Sequence, residues 1–209
     1  MKQNMLFVIF SFCLLMGLSP LASAAPSMQG STGNINTPAA DVLRPGQFDV
    51  GYYHLDGVQD ISFATNLAKN WELSAVGRKS DKGDAAGQVN LKYAVKQEGV
   101  LTPGLAVGVE DLAGEEKRSV YAVASKGLPL GFRLHVGLGN GRYDGAFAAV
   151  EKRLVPLARG GVFPDMSIIV ENDGHHMNYG LRMAVAAGLK ASAGWMDGKP
   201  FVGITYNYY

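Results

Sequence analysis

The chain ends on the stretch Phe201-Val-Gly-Ile-Thr-Tyr-Asn-Tyr-Tyr209. Within it, apolar or aromatic side chains at positions 202, 204, 206 and 208 alternate with small or polar ones at 203, 205 and 207. Successive side chains of a β-strand point to opposite faces, so this alternation predicts a strand with one apolar and one polar face. The same pattern recurs through most of the chain.

Period-two alternation begins at Gly46 and continues almost to the end of the sequence. Two clear examples are residues 132–139, apolar at the even positions, and residues 177–185, apolar at most odd positions. Turn signals such as Asp56-Gly57 and Asn140-Gly141 separate these runs. The pattern predicts an all-β chain of about 10 to 12 strands, with about twelve as the preferred number.

The alternate strand positions that are not apolar, here called the polar phase, indicate whether the barrel is a membrane barrel or a soluble one. In a membrane barrel the apolar side chains face lipid, and the lumen holds small and polar residues. Here the polar phase is rich in glycine and alanine, and the strand lengths suit the roughly 9–11 residues that cross the hydrocarbon layer. Aromatic residues collect at strand ends, where an interfacial girdle lies; they are Tyr52, Tyr53, Trp71, Tyr143, Trp195, Tyr206, Tyr208 and Tyr209. We therefore predict an antiparallel up-and-down transmembrane β-barrel.

The first 24 residues have the features of a secretory signal peptide. Lys2 supplies a positive charge, residues 5–18 form an apolar run, and Ala22-Ser23-Ala24 is a small-x-small cleavage site. The apolar run is short for a transmembrane helix. Cleavage after Ala24 would remove Cys13, the single cysteine of the sequence, and with it any disulfide or cysteine metal site. We predict export to the bacterial outer membrane through a cleaved signal.

The remaining chain divides into two predicted parts. Residues 25–45 are rich in Ser, Gly, Asn and Pro without sustained periodicity, which predicts an irregular periplasmic lead-in segment. Residues 46–209 form the predicted barrel, whose last strand resembles those recognised by the barrel-assembly machinery. The predicted C-terminal assembly signal consists of Val202, Ile204, Tyr206, Tyr208 and Tyr209. Tyr209 lies one residue beyond the usual register.

The longest predicted connection, residues 153–165, conflicts with the usual loop arrangement. In a barrel of about twelve strands with periplasmic termini it lies on the periplasmic side, where connections are normally short. Either the strand count is wrong by one, or this connection contacts the lead-in segment.

Composition and motifs exclude several functions. The 19 basic and 18 acidic residues nearly cancel and form no basic run, which argues against nucleic acid as a partner. No Gly-x-Ser-x-Gly elbow follows the signal, and no serine has a histidine at a recognisable spacing. The adjacent His175 and His176 are more typical of a solvated turn than of a metal site. We predict no enzyme, no cofactor and no metal.

Charged and polar residues of the polar phase are predicted to form a network in the lumen. They are Glu110, Lys126, Arg133, His135, Glu151, Glu171, Asn178 and Arg182. Charges in a narrow barrel must pair, because desolvating one alone costs several kcal/mol. We expect Glu171 and Arg182 to pair across one hairpin. The network is either a structural filling of salt bridges or the lining of a polar conduit or glycan-binding lumen.

Residues 30–38, Gly-Ser-Thr-Gly-Asn-Ile-Asn-Thr-Pro, resemble the opening of the YjbH-like family of outer-membrane proteins. Further short motifs follow in the same order, including residues 103–111 and 171–174, so the resemblance covers about residues 30–209. The family is linked to exopolysaccharide production, and its longer members carry additional barrel sequence. The resemblance implies a short member with one barrel, and it carries over no catalytic residues.

Three functions follow as hypotheses. The first is a non-enzymatic outer-membrane barrel that assists exopolysaccharide export or assembly, as the resemblance implies. The second is a small porin-like channel, and the third is a soluble periplasmic β-barrel that binds a ligand. The expected partners are outer-membrane lipid and the barrel-assembly machinery, with polysaccharide or export proteins added under the first hypothesis.

Overall fold

Twelve β-strands make up most of the protein in a computed structural model that describes residues 25–83, 85–154 and 164–208. The strands are β1 (Phe48–Leu55), β2 (Val58–Ala68), β3 (Trp71–Ser80), β4 (Ala85–Lys96), β5 (Gly104–Glu110), β6 (Ser119–Gly127), β7 (Phe132–Gly139), β8 (Gly145–Leu154), β9 (Met166–Asn172), β10 (Met177–Ala186), β11 (Leu189–Met196) and β12 (Lys199–Tyr208). Each pairs with its chain neighbours, and β1 pairs antiparallel with β12, which closes the barrel. The predicted all-β, up-and-down antiparallel barrel with twelve strands is confirmed. The predicted signal peptide, residues 1–24, lies outside the described residues.

Two Asp-Gly turns show how local sequence produces the hairpins. Asp56 and Gly57 have φ values of 39° and 79°, and Asp197 and Gly198 have 52° and 71°. Two successive positive φ values match the twist of the flanking strands, and Asp-Gly adopts them readily. These turns join β1 to β2 and β11 to β12. Because β12 then pairs with β1, no strand edge is left open in the barrel.

The two faces of β12 show which side of the barrel is polar. Val202 is 57% exposed on the outer surface, whereas Thr205 is 1% exposed on the inner face. Ile204 is likewise exposed, and Asn207 is buried. Around the barrel, exposed apolar residues face outward and polar residues are buried within, which is the arrangement of a membrane barrel.

A nitroxide label at position 204 is expected to contact lipid, and a label at position 205 is expected to lie in the packed interior. Collision with molecular oxygen, which concentrates in lipid, should therefore be high at 204 and low at 205. A label at 202 is the matched control, since it shares the outward face with 204. If 205 is the more oxygen-accessible position, the register of β12 is wrong.

Tyr209, predicted for the girdle and the assembly signal, lies outside the described residues. The predicted girdle aromatics on the outer surface are Tyr52, Trp71, Trp195, Tyr206 and Tyr208, and all but Tyr52 lie at or near strand ends. There Trp71 packs against Tyr93 with ring centroids 4.7 Å apart. The girdle prediction is wrong for Tyr53 and Tyr143, because both rings are buried inside the barrel. Tyr53 occupies the inward phase and lies over Gly203, where the Cβ of any other residue would collide with the ring.

Residues 25–43 form a plug inside the barrel. They are buried or half-buried and contact inward-facing side chains of β1, β3, β4, β6, β7, β9 and β10. Apart from the isolated bridges Pro26–Thr32 and Gly33–Pro38, the plug has no strand pairing. The sequence pattern indicated an irregular backbone here but placed it in a separate periplasmic segment, not in the lumen.

The two ends of the barrel differ in their connections. We call the end where β1 begins and β12 finishes the terminal end, and the other the turn end. The connection from β8 to β9 lies at the terminal end, and Arg153 and Asp165 form an ion pair of 2.6 Å beside it. Residues 155–163 lie outside the described residues. Since twelve strands are confirmed, a miscount does not explain this placement. Within the described ranges, no helix is long and apolar enough to cross a membrane.

Candidate functional site in the barrel lumen

The plug is built around a tight loop that its glycines allow. The amide of Met28 donates to the Ile35 carbonyl at 2.9 Å, and the amide of Asn34 donates to the Thr37 carbonyl at 2.8 Å. A Cβ at Gly33 would collide with the Thr37 carbonyl oxygen and lie 2.9 Å from the Cα of Pro38. Both are backbone atoms, so the loop requires glycine at position 33. These residues belong to the stretch that carries the family resemblance.

Glu171 of β9 holds one side of this loop through its carboxylate. The amides of Ile35, Asn36 and Thr37 donate to it at 3.1, 2.7 and 3.3 Å. The Thr37 hydroxyl donates at 2.9 Å, and the side-chain amide of Asn178 does so at 2.9 Å. The carboxylate is 1% exposed, and neutral donors satisfy it. The strand thus offers the plug a fixed acceptor.

Glu72 of β3 holds the other side of the plug. Its carboxylate accepts the Thr32 amide at 2.8 Å, the Thr32 hydroxyl at 2.9 Å and the Leu43 amide at 3.0 Å. Lys92 of β4 pairs with it at 3.0 Å, and both side chains are almost completely buried. The ammonium group also donates to the Thr32 carbonyl at 2.9 Å. A buried ion pair therefore touches the plug with both its acid and its base.

Arginines on the barrel contact carbonyl oxygens of the plug. Arg182 of β10 donates to the Asn34 carbonyl, and Arg142 in the β7–β8 turn donates to the Asn36 carbonyl, each at 2.8 Å. Guanidinium groups suit this task because their several N–H donors have a fixed geometry. The barrel wall therefore satisfies both the donors and the acceptors of the plug backbone.

At the terminal end, Arg133 connects the plug to a loop. It bonds Asp41 of the plug at 2.9 Å and Glu98 of the β4–β5 loop at 2.8 Å. Glu98 also accepts from Lys126 at 3.2 Å and from the Gly127 amide at 2.8 Å. Partial burial raises the pKa of Glu98, but the Gly127 bond and the cations of Arg133 and Lys126 outweigh it and hold the pKa below its ordinary value.

At the turn end, Arg142 pairs with Glu110 and lies over the ring of Tyr143, 4.1 Å from its centroid. The Tyr143 hydroxyl donates to Glu110 at 2.8 Å. Tyr121 and Phe147 pack beside Tyr143 in one aromatic cluster. This end of the lumen is closed by an ion pair and three rings.

The predicted lumen residues are distributed among these contacts. Glu110, Arg133, Glu171, Asn178 and Arg182 take part as described, His135 bonds Ser125 at 2.8 Å, and Glu151 is half-buried opposite Arg133. The lumen prediction is wrong for Lys126, because Ser125 occupies the inward phase of β6 and Lys126 lies in the outward phase, where it bonds Glu98 at the terminal end. The expected pair of Glu171 and Arg182 is wrong. The β9–β10 register places Asn178 opposite Glu171 and Ser167 opposite Arg182, and each charged group bonds the plug instead.

Several residues of the site were missed from the sequence, among them Glu72, Lys92, Asp41 and Arg142. Glu72 and Lys92 lie in the inward phase of their strands, so the alternation could have identified them. Asp41 and Arg142 lie outside the strands, where alternation gives no information. A prediction of their positions would have required the path of the plug.

The plug leaves little free space beside the wall. A small cavity lined by Asn34, Ile35, Tyr53, Arg182 and Ser192, among others, has room for about one water molecule. In the part of the chain that the structure describes, no group of three or more His, Cys, Asp or Glu residues could hold a metal ion. The site is therefore a protein segment held by a polar wall.

Comparison with known proteins gives a matching family model and solved structures with a similar fold. The family model YjbH, described as "Exopolysaccharide biosynthesis protein YbjH", matches residues 26–159. Two solved structures of the KdgM porin, one in complex with disordered oligogalacturonate, align with TM-scores of 0.54 and 0.53 at 11% and 10% identity. Each alignment covers 78% of this chain and 98% of the porin. A comparison with curated proteins gives no match. At this identity the porin likeness concerns the fold.

Proposed function

The chain belongs to the YjbH family of exopolysaccharide biosynthesis proteins, and from this we propose that it is a plugged, non-enzymatic outer-membrane barrel that assists exopolysaccharide export or assembly. The observation that carries the proposal is the extent of the family match. It includes the plug from residue 26 onward and strands β1 to β8. The matched range thus contains the plug and the part of its wall that carries Glu72, Lys92 and Arg142, whereas Glu171 and Arg182 lie beyond it.

A non-enzymatic role is supported by the burial of the Ser125–His135 pair. The Ser125 hydroxyl accepts the Ala40 amide at 2.8 Å and contacts His135 beneath the plug. Both side chains are buried. A nucleophile needs access to substrate, and here the plug backbone occupies that approach.

The outer membrane is the proposed location, with the terminal end in the periplasm. The outward apolar face, the aromatic residues at strand ends and the N-terminal signal pattern support this. In that orientation the Arg133–Glu98 contact faces the periplasm, where export proteins and the barrel-assembly machinery are the proposed partners. The plug would keep the membrane sealed in the resting state.

A porin-like channel is the second candidate. The KdgM porins share the barrel over nearly their whole length, and a twelve-strand barrel is wide enough to hold a segment of chain in its lumen. The filled lumen argues that such a channel is closed until the plug moves.

Deletion of the gene from its source bacterium should test the export role. We expect less polysaccharide in the medium and more retained in the periplasm, measured by uronic acid and total hexose assays of both fractions. A plasmid copy of the wild-type gene should restore secretion, which controls for effects on neighbouring genes. Unchanged polysaccharide in both fractions would contradict the proposal.

A soluble periplasmic barrel, the third hypothesis, has a separate test. We expect the protein to require detergent for extraction from the cell envelope, and to migrate faster on SDS gels before heating than after it. Release into the periplasmic fraction without detergent would favour the soluble barrel.

A further inference from the structure

The plug makes two kinds of hydrogen bond with the wall. Its amides and hydroxyls donate to Glu72 and Glu171, and its carbonyls accept from Lys92, Arg142 and Arg182. All five wall groups lie on strands or turns that belong to the barrel. They would stay in place if the plug moved, and each would then lose its hydrogen bonds to the plug.

Among biological polymers, a polysaccharide satisfies such a wall well. Each sugar hydroxyl donates one hydrogen bond and accepts others, so one chain can donate to carboxylates and accept from guanidinium groups along its length. We propose that the wall beneath the plug is a glycan-binding track, on which sugar hydroxyls replace the plug backbone. This inference rests on the proposed function and names the ligand class of its site.

The charges on the wall favour a glycan with few charges of its own. Glu72 is paired with Lys92, and Glu110 is paired with Arg142. Glu171 and Arg182, which both bond the plug, offset each other. A polyanion would meet Glu72 and Glu171 at the positions where the plug places neutral N–H groups, and it would be repelled there. The track therefore fits a neutral polyhydroxylated chain.

Beside Arg182 the glycan would have to replace the plug, because the space there is too small to hold both. The cavity next to Arg182 has room for about one water molecule, far less than a sugar ring. The plug joins β1 through residues 44–46, which are exposed at the terminal end. A Cβ at Gly46 would meet no atom within 4 Å, so this joint is unobstructed.

The test uses the full chain in planar lipid bilayers with the substitution Gly33→Ala, which displaces the plug and keeps every wall group. Maltohexaose, a neutral glucose oligomer, is added as the probe, and block of the current is measured against its concentration. We expect block, weakened about tenfold by Glu171→Gln or Arg182→Met in the same background, since each removes a charged hydrogen-bonding group. Glu115→Gln and Arg118→Met, on the exposed β5–β6 loop, are matched controls and should not weaken it.

The outcomes separate the inference from the proposed function. Absence of block by maltohexaose, or equal block in the wall variants, would overturn the track. Block by oligogalacturonate alone would overturn the neutral ligand class. If maltohexaose blocks but gene deletion leaves secretion unchanged, the track stands and the export role fails. Should Gly33→Ala not insert, the pair Thr32→Val and Asp41→Asn serves the same measurements, because it removes the Thr32 hydroxyl bond to Glu72 and the charge that Asp41 presents to Arg133.

Discussion

Replacing Gly33 with alanine is expected to convert a closed barrel into a conducting one. The added Cβ would collide with the Thr37 carbonyl oxygen and with the Cα of Pro38. Neither atom can move without opening the loop, and the amides of residues 35–37 would then lose their alignment on Glu171. The plug would then lose the contacts with Glu171 that hold it near the turn end of the barrel. With the plug displaced, water and ions fill the lumen.

Single-channel recording in planar bilayers measures this effect. The wild-type chain should show little current, and Gly33→Ala should raise the mean conductance by about tenfold or more, as expected when a filled barrel of this size is emptied. Gly77→Ala on β3 is the matched control, because a Cβ there meets no atom within 4 Å. Equal currents from wild type and Gly33→Ala would show that the plug does not seal the lumen.

The second large effect is expected at the buried pair of Glu72 and Lys92. Glu72→Leu leaves the Lys92 ammonium without its counter-charge in a position that is 1% exposed. Removing one member of a buried pair typically lowers the free energy of unfolding by about 3–5 kcal/mol. The amides of Thr32 and Leu43 also lose their acceptor. Urea unfolding in phospholipid vesicles measures the change.

A double substitution distinguishes charge burial from a general packing defect. Glu72→Leu combined with Lys92→Met replaces the pair by apolar side chains of similar volume, and should recover more than half of the lost stability. As a control, Lys199→Ala breaks an ion pair with Asp56 in which both partners are more than half exposed. That change should be close to neutral. A double variant less stable than Glu72→Leu would contradict the charge explanation.

The barrel could be predicted from sequence because its information is local. Alternation places Val202 outside and Thr205 inside, and the Asp56-Gly57 turn determines its own hairpin. The register between two strands depends on residues further apart in the sequence. The pairing of Glu171 with Arg182 was wrong because the register places Asn178 opposite Glu171, and Arg182 lies four positions further along β10, opposite Ser167. Tyr53 was assigned to the girdle because its position near a strand end was given more weight than its inward phase.

The plug could not be predicted in the same way. Its contacts join residues far apart in sequence, as when the Ile35 amide meets Glu171, 136 positions later. Residues 25–43 also have no periodicity, since their backbone groups bond partly to one another and partly to side chains of several strands. The resemblance of residues 30–38 to the YjbH-like family was the only sequence signal in this region. The structure gives that signal a physical meaning, because Thr32, Gly33 and Thr37 form the loop and its contacts.

The closed barrel around the plug has a consequence for the order of folding. The plug precedes β1, so it is synthesised before any strand of the barrel, yet its partners Glu171 and Arg182 lie on β9 and β10. Contacts of such high sequence separation form late, because a long loop must first be closed. The plug can therefore form its final contacts only after most of the strands have been made and paired. An assembly intermediate with paired strands and an unfilled, water-permeable interior is expected to precede the sealed protein.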